Sequence, residues 1–328
     1  MKKQNKRKTK SFKSSILLLL LMAVLLISST YAWFTANTTV TVSSIQVNVK
    51  ATNGLQISTD GINFKSTIEN ADLLDNIATT YATNTNQVPA ILAPVSTAGA
   101  VSTAGNLNMF YGEVKTSYNP YRLVSSAQTD TAGKTGNYIV FDLFLKSDAG
   151  GTIELTPNSK VVYVGTSVGL ENAARVGFVN EGSAGSGDAA KTIQELNQGR
   201  ASKIWEPNYD THTAAAVNAA SAVYGVTTTT TGGTQIPYYG LKAPCTEDNN
   251  VTVNQTTTAN PNATYFDKVT PTYATKNGFT DNITFETLQK GITKYRVYMW
   301  IEGQDVDCEN GASGSDIQFN LQFKLATT

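Results

Sequence analysis

Histidine occurs once in these 328 residues, at His212. That single fact bounds the chemistry. A helical zinc-protease site needs two histidines four apart with a glutamate between them, and catalytic zinc takes several histidine ligands. A Ser-His-Asp triad could in principle be assembled around His212, but this reading assigns it no nucleophile. His212 follows Trp205-Glu206-Pro207-Asn208 and precedes an expected helix, so it reads as a capping or surface residue. Glu302, Asp305, Asp307 and Glu309 fall within eight residues after an expected strand. Carboxylates that close could hold Ca²⁺, although the spacing is not that of an EF-hand loop; the alternative is a solvated acidic turn. Tyr238, Tyr239, Trp205 and Trp300 could line a sugar site or could be core. No Walker-type phosphate loop is present. The expectation is a protein that is not an enzyme and takes no cofactor.

The remaining reactive residues are Cys245 and Cys308. In an oxidising compartment an even pair suggests one disulfide, worth about 4 kcal/mol in the chain-entropy picture. Two unpaired thiols are the alternative.

The compartment is argued from the N-terminus. Seven of the 25 Lys and Arg residues lie in the first thirteen positions, with no acid among them. Residues 16–27 are an unbroken apolar run, short of the roughly 20 residues that a spanning helix needs. A basic segment, a short apolar segment and a small residue beyond it make an export signal. Removal of residues 1–32 would cut between Ala32 and Trp33. The competing reading is an uncleaved anchor with Trp33 and Phe34 at the membrane interface. Cleavage leaves 18 basic residues against 25 acidic ones. A net charge of −7 argues against nucleic acid and suits an extracellular surface.

Thr30-Tyr31-Ala32, followed by Trp33-Phe34-Thr35 and an alternating segment, resembles the TasA/camelysin family. These are exported proteins of Gram-positive bacteria processed by a SipW-type signal peptidase. Residues 298–308 and Trp205-Glu206-Pro207-Asn208 resemble stretches common in clostridial proteins with this signal type. The resemblance to filament-forming members covers the junction and the general β character. It implies a secreted or cell-surface subunit of a biofilm-matrix filament, assembled when an N-terminal strand is donated to a neighbour. Residues 38–50 would be the donor, anchored by Val40, Val42, Val47 and Val49. Pairing of that strand within its own sheet is the competing state, and a carbohydrate- or host-matrix-binding module is the alternative function. Some camelysin-like relatives are described as proteases; no motif here supports that.

The elements that would position these residues are mostly strands. Charged residues are only 15% of the chain, and β-branched runs are bounded by Gly, Asn and Pro. Val40, Val42, Val47 and Val49 alternate, with Ser43-Ser44 shifting the parity as a bulge would. Residues 55–57 and 62–64 flank an Asp60-Gly61 turn. Residues 94–99 are nearly repeated as 100–105, which reads as a surface loop. Ile139, Phe141, Leu143 and Leu145 share the core face of a central strand. Residues 152–155 and 160–164 continue with a Pro157-Asn158 turn. Helical segments are expected over 170–174, 189–197 (with Asp188 as N-cap) and 213–223. Tyr295, Val297, Met299 and Ile301 face one side of the next strand. Ile317, Phe319, Leu321, Phe323 and Leu325 mark the last.

The expected architecture is a jelly-roll-like antiparallel β-sandwich with short helical insertions over residues 33–328. A signal helix precedes it, and an insertion spans about 180–262.

Overall fold

The computed structural model describes residues 39–50, 54–74, 79–119, 121–252, 262–309, 314 and 316–326. Ala32, Trp33 and the expected signal segment lie outside them. Among the described residues, no helix is long and apolar enough to cross a membrane.

Among the described residues, eighteen strands, numbered along the chain, form four sheets. Sheet one holds β1 (Val40–Val49), β3 (Thr67–Glu69), β4 (Ile91–Leu92), β9 (Gly151–Leu155), β10 (Lys160–Val164), β16 (Ile283–Leu288) and β18 (Asp316–Leu325). Sheet two holds β2 (Leu55–Ser58), β8 (Ile139–Ser147), β11 (Ala174–Ala184), β12 (Ser202–Glu206), β15 (Tyr273–Ala274) and β17 (Gly291–Ile301). The third sheet is β5 (Val95–Ser96), β6 (Met109–Lys115) and β7 (Arg122–Gln128); β13 (Tyr238–Leu241) and β14 (Phe266–Val269) form the fourth.

Sheets one and two pack face to face as a sandwich. Period-2 alternation places one apolar set per strand on the shared face. Ile139, Phe141, Leu143 and Leu145 of β8 meet Val297 and Met299 of β17 and Phe319, Leu321 and Phe323 of β18 in that core. The two sheets are mainly antiparallel, but β1 runs parallel to β18 and β12 runs parallel to β15. β1 occupies the middle of sheet one, with β18 on one side and β3 and β4 on the other. Its register against β18 slips between Val42 and Ser44, the bulge that the serine pair predicts.

Several local expectations change. β9 and β10 both run antiparallel to β18 in succession, so Pro157-Asn158 does not reverse the chain. Leu155 opposes Phe323 and Lys160 opposes Asn320, so residues 156–159 bulge out opposite only residues 321 and 322. Gln322 fills the bulge: its Oε1 accepts Thr156 Oγ1 at 2.7 Å and Asn158 Nδ2 at 2.9 Å. The first hexapeptide of the near-repeat is no surface loop. Val95, Ser96 and Thr97 are fully buried, because β5 lies over sheet two. The expected insertion boundary also moves. β11 continues to Ala184 and β12 is a sheet-two strand, so residues 180–184 and 202–206 belong to the sandwich.

Sheet two is buried on both faces. Every residue of β17 is buried. Its outer face carries Tyr138, Val140, Tyr298 and Trp300, packed against Val95, Met109, Tyr238 and Val269 of the two smaller sheets. The structure is therefore three layers, with the small sheets as the third.

One of the short helices has a side-chain cap. Thr213 accepts the Ala216 amide at the start of helix Ala214–Ala219. Gly225 closes the π turn Ala220–Tyr224 in the left-handed conformation. Helix Ala190–Gln194 is shorter than expected, and Ala189 stands at its N-cap. Asp188 accepts the Gly185 amide instead.

Candidate functional site

The acidic run begins where β17 ends. The chain turns at Glu302, whose amide bonds to Ala173 O at 2.8 Å, and residues 302–309 fold back against β11 and the start of helix Ala214–Ala219. The sequence allowed two fates for the four acids, a Ca²⁺ site or a solvated turn; the structure gives neither. Glu302 is fully buried, with Oε2 accepting Trp300 Nε1 at 3.0 Å and Oε1 accepting the Gln304 amide at 3.1 Å. Asp305 accepts Arg175 Nη2 and the Asp307 amide. Asp307 faces His212 Nδ1 at 2.9 Å and accepts the Thr213 amide at 2.8 Å. Glu309 accepts Thr213 Oγ1 at 2.7 Å. Each carboxylate is directed to a different protein donor. Among the described residues, no group of three or more His, Cys, Asp or Glu could hold a metal ion.

Arg175 is the centre of this network. Its Nη2 also bonds to Glu206 Oε1 at 2.6 Å, and its Nη1 reaches Asn172 O and Ala174 O. The two stretches that carry the resemblance, residues 205–208 and 298–308, thus meet around one buried guanidinium. A lone charge at that depth would cost several kcal/mol, and its two carboxylate partners offset this. Burial pushes the Glu206 carboxyl up despite Arg175 beside it. Burial pushes Glu302 further, to about 7. Burial also raises Asp307. For His212, burial opposes the charged ring, but the bond to Asp307 outweighs it and the ring is raised.

His212 is buried, not on the surface. Its Nε2 faces Thr234 O at 3.1 Å, so both ring nitrogens are engaged by acceptors. Sequence reading overlooked a nucleophile signal: Gly165-Thr166-Ser167-Val168-Gly169 spells Gly-x-Ser-x-Gly between β10 and the 3₁₀ turn Leu170–Ala173. This loop lies beside the His212 segment, since a Cβ on Gly169 would meet Thr213 Cγ2 at 2.1 Å. Ser167 Oγ nevertheless donates to Glu171 Oε1 and accepts the Gly169 amide at 3.3 Å. Neither partner of a Ser-His pair is turned to the other.

Cys245 and Cys308 are free and buried, so the expected disulfide is not formed. They belong to different cores: Cys245 packs with Phe110, Leu123 and Phe266 in the third layer, and Cys308 lies in the sandwich core. Trp205, Trp300 and Tyr238 are core residues, not rim aromatics.

The residues expected to anchor a donor strand lie in sheet one. Val40, Val42, Val47 and Val49 are all buried, with Ile45 on the same face, and β1 pairs within its own sheet. Of the two states that the sequence allowed for this strand, the single chain adopts the self-paired one. β10 pairs with β18 alone among the described strands, and it carries exposed Tyr163 and Val164. Register aligns Ile91, Thr41, Asp316 and Val164 across four neighbouring strands, at the end of the sheet where β1 begins.

The chain matches no family model, no curated protein and no solved structure.

Proposed function

We propose that this chain is an exported structural subunit that assembles with copies of itself by exchanging β1. The observation that carries the reading is the seating of that strand. β1 is paired to β18 from Thr41↔Asp316 to Val49↔Phe323, with almost the whole chain between them. A parallel pair cannot be closed by a tight turn. The next strand in the chain, β2, belongs to the other sheet. The strand is therefore held by its ladders and its buried side chains rather than by a hairpin.

The same slot in a second copy offers β1 identical ladders and the same pockets for its five apolar side chains. Exchange restores every pairing between molecules, which makes it a low-cost route to assembly. Main-chain bonds supply affinity and alternate side chains fix the register. The setting would be the cell surface or the extracellular matrix, after export and removal of residues 1–32 by a SipW-type peptidase. The partner is another copy or a related subunit, not nucleic acid.

The test uses two single variants of the secreted protein. Gln46 on β1 faces Asn320 on β18 across the parallel pair. Gln46→Cys and Asn320→Cys are mixed under assembly conditions, beside the double variant as a control, and treated with a short bis-maleimide that alkylates both thiols. Covalent dimers in the mixture, with filaments by negative-stain microscopy, are expected. Cross-linking confined to the double variant, with monomers at every concentration, overturns the reading.

A further inference from the structure

A cavity of about 380 Å³ opens on the outer face of sheet two, away from the acidic turn and from β1. Its floor is charged and buried. Asp142 of β8 lies between Arg296 Nη1 at 2.8 Å and Lys294 Nζ at 3.2 Å. Arg296 Nε also pairs with Asp130 at 2.9 Å. Two cations and two anions thus neutralise one another. Lys294 Nζ is further held by Gln194 O at 2.8 Å, Leu196 O at 3.1 Å and Tyr81 Oη at 3.2 Å, so its donors are committed.

Glu181 is left over. It lines the same cavity and is only 2% exposed. Its Oε2 accepts the Gly199 amide at 2.9 Å, while its Oε1 is buried without a partner. A buried acceptor without a donor keeps its full desolvation penalty.

The backbone is shaped to keep this carboxylate there. Register between β11 and β17 slips between Asn180 and Gly182, so Glu181 is the extra residue of a β-bulge. Bulges re-aim a side chain and are frequent beside binding sites. Gly182 holds φ at +108°, open to glycine. Gly105 and Gly199 flank the carboxylate; a Cβ on either would come within 2.9 Å of one of its oxygens. The rim supplies a hydroxyl and two carboxamides from Thr83, Asn106 and Asn197, and one exposed carboxylate, Glu195, which is paired with Lys191.

We propose that this cavity binds a small hydroxylated primary amine, with its ammonium group on Glu181 Oε1 and its hydroxyls on the rim. The ammonium supplies both the missing donor and the missing positive charge. The ligand is retained by hydrogen bonds and charge, and no covalent step is involved.

Glucosamine is the probe, with glucose and N-acetylglucosamine as controls that keep the ring and lack the ammonium. Calorimetric titration of the secreted wild-type protein near neutral pH should show saturable binding of glucosamine and none of the controls. Glu181→Gln keeps an acceptor for Gly199 and removes the charge; it should weaken glucosamine roughly tenfold or more without lowering the melting temperature. Ala104→Trp, on the exposed lining of the cavity, should block binding and leave Glu181 intact. Equal binding of all three sugars overturns the charge assignment. No binding by the wild-type protein leaves solvent as the occupant and overturns the site. A marked loss of stability in Glu181→Gln, with glucosamine binding unchanged, makes Glu181 structural and overturns it also.

Discussion

Arg175 and Glu302 are the residues on which the segment after β17 depends. Arg175 is fully buried between Glu206 and Asp305. Arg175→Met keeps volume but leaves two buried carboxylates without their cation. A loss of about 3–5 kcal/mol is expected, read by urea unfolding. Glu302 is raised from 4.5 to about 7 by burial. The folded state then holds a proton that the unfolded state has released across that interval. Stability from this group is fully present below about pH 4.5 and falls as pH rises to about 7, by roughly 3 kcal/mol. The raised Asp307 and His212 act in the same direction. Glu302→Gln should flatten part of this slope in unfolding curves taken between pH 5 and 8. It should also cost about 1–3 kcal/mol at the acid end, because one carboxamide donor would face Trp300 Nε1 or the Gln304 amide.

Among the elements of sheet one, β1 is the strand whose exchange is proposed, and β10 is one of the edge strands that offer a competing contact. β1 is central and buried, whereas β10 has an open side with exposed Tyr163 and Val164. An open edge is a template for pairing, and a lysine placed on it blocks that route. Exchange of β1 does not use this edge. Val164→Lys should therefore leave filament yield unchanged by microscopy and sedimentation if exchange is the mechanism. Loss of filaments would transfer the contact to β10. The bulge between β9 and β10 supports the same edge, because Gln322 ties Thr156 and Asn158 to β18.

At the scale of the whole molecule, three layers are held together without a covalent cross-link between the two cysteines. The thiols are separated into different cores and both are raised by burial, which keeps them in the unreactive thiol form. A reducing agent should leave the melting temperature of the protein unchanged; a fall of several degrees would place a disulfide in it after all. The sheets themselves close through pairings between distant parts of the chain, of which β1 with β18 is the longest. Such pairings form slowly, because loop closure precedes the contacts that reward it.

The alternation of β1, β8, β17 and β18 and the Ser43-Ser44 bulge were legible in the residues alone, because the pleat repeats every two residues and one extra residue shifts its parity. The cap was not: Asp188 was the expected N-cap, whereas Thr213, expected inside its helix, is the residue that caps it. The sandwich followed from the same patterns. The role of the acids did not. A carboxylate on a polar turn and one buried on an arginine have the same spelling, and only packing brought Arg175, Glu206 and Asp305 together. Val95-Ser96-Thr97 looked solvated because a two-residue strand has too few positions to show a period. The carboxylate of Glu181 carried no signal either, since a bulge is defined by the partner strand and a cavity by what fails to fill it. Sequence determined which faces of the strands are apolar; tertiary structure decided which charges lost their water and what replaced it.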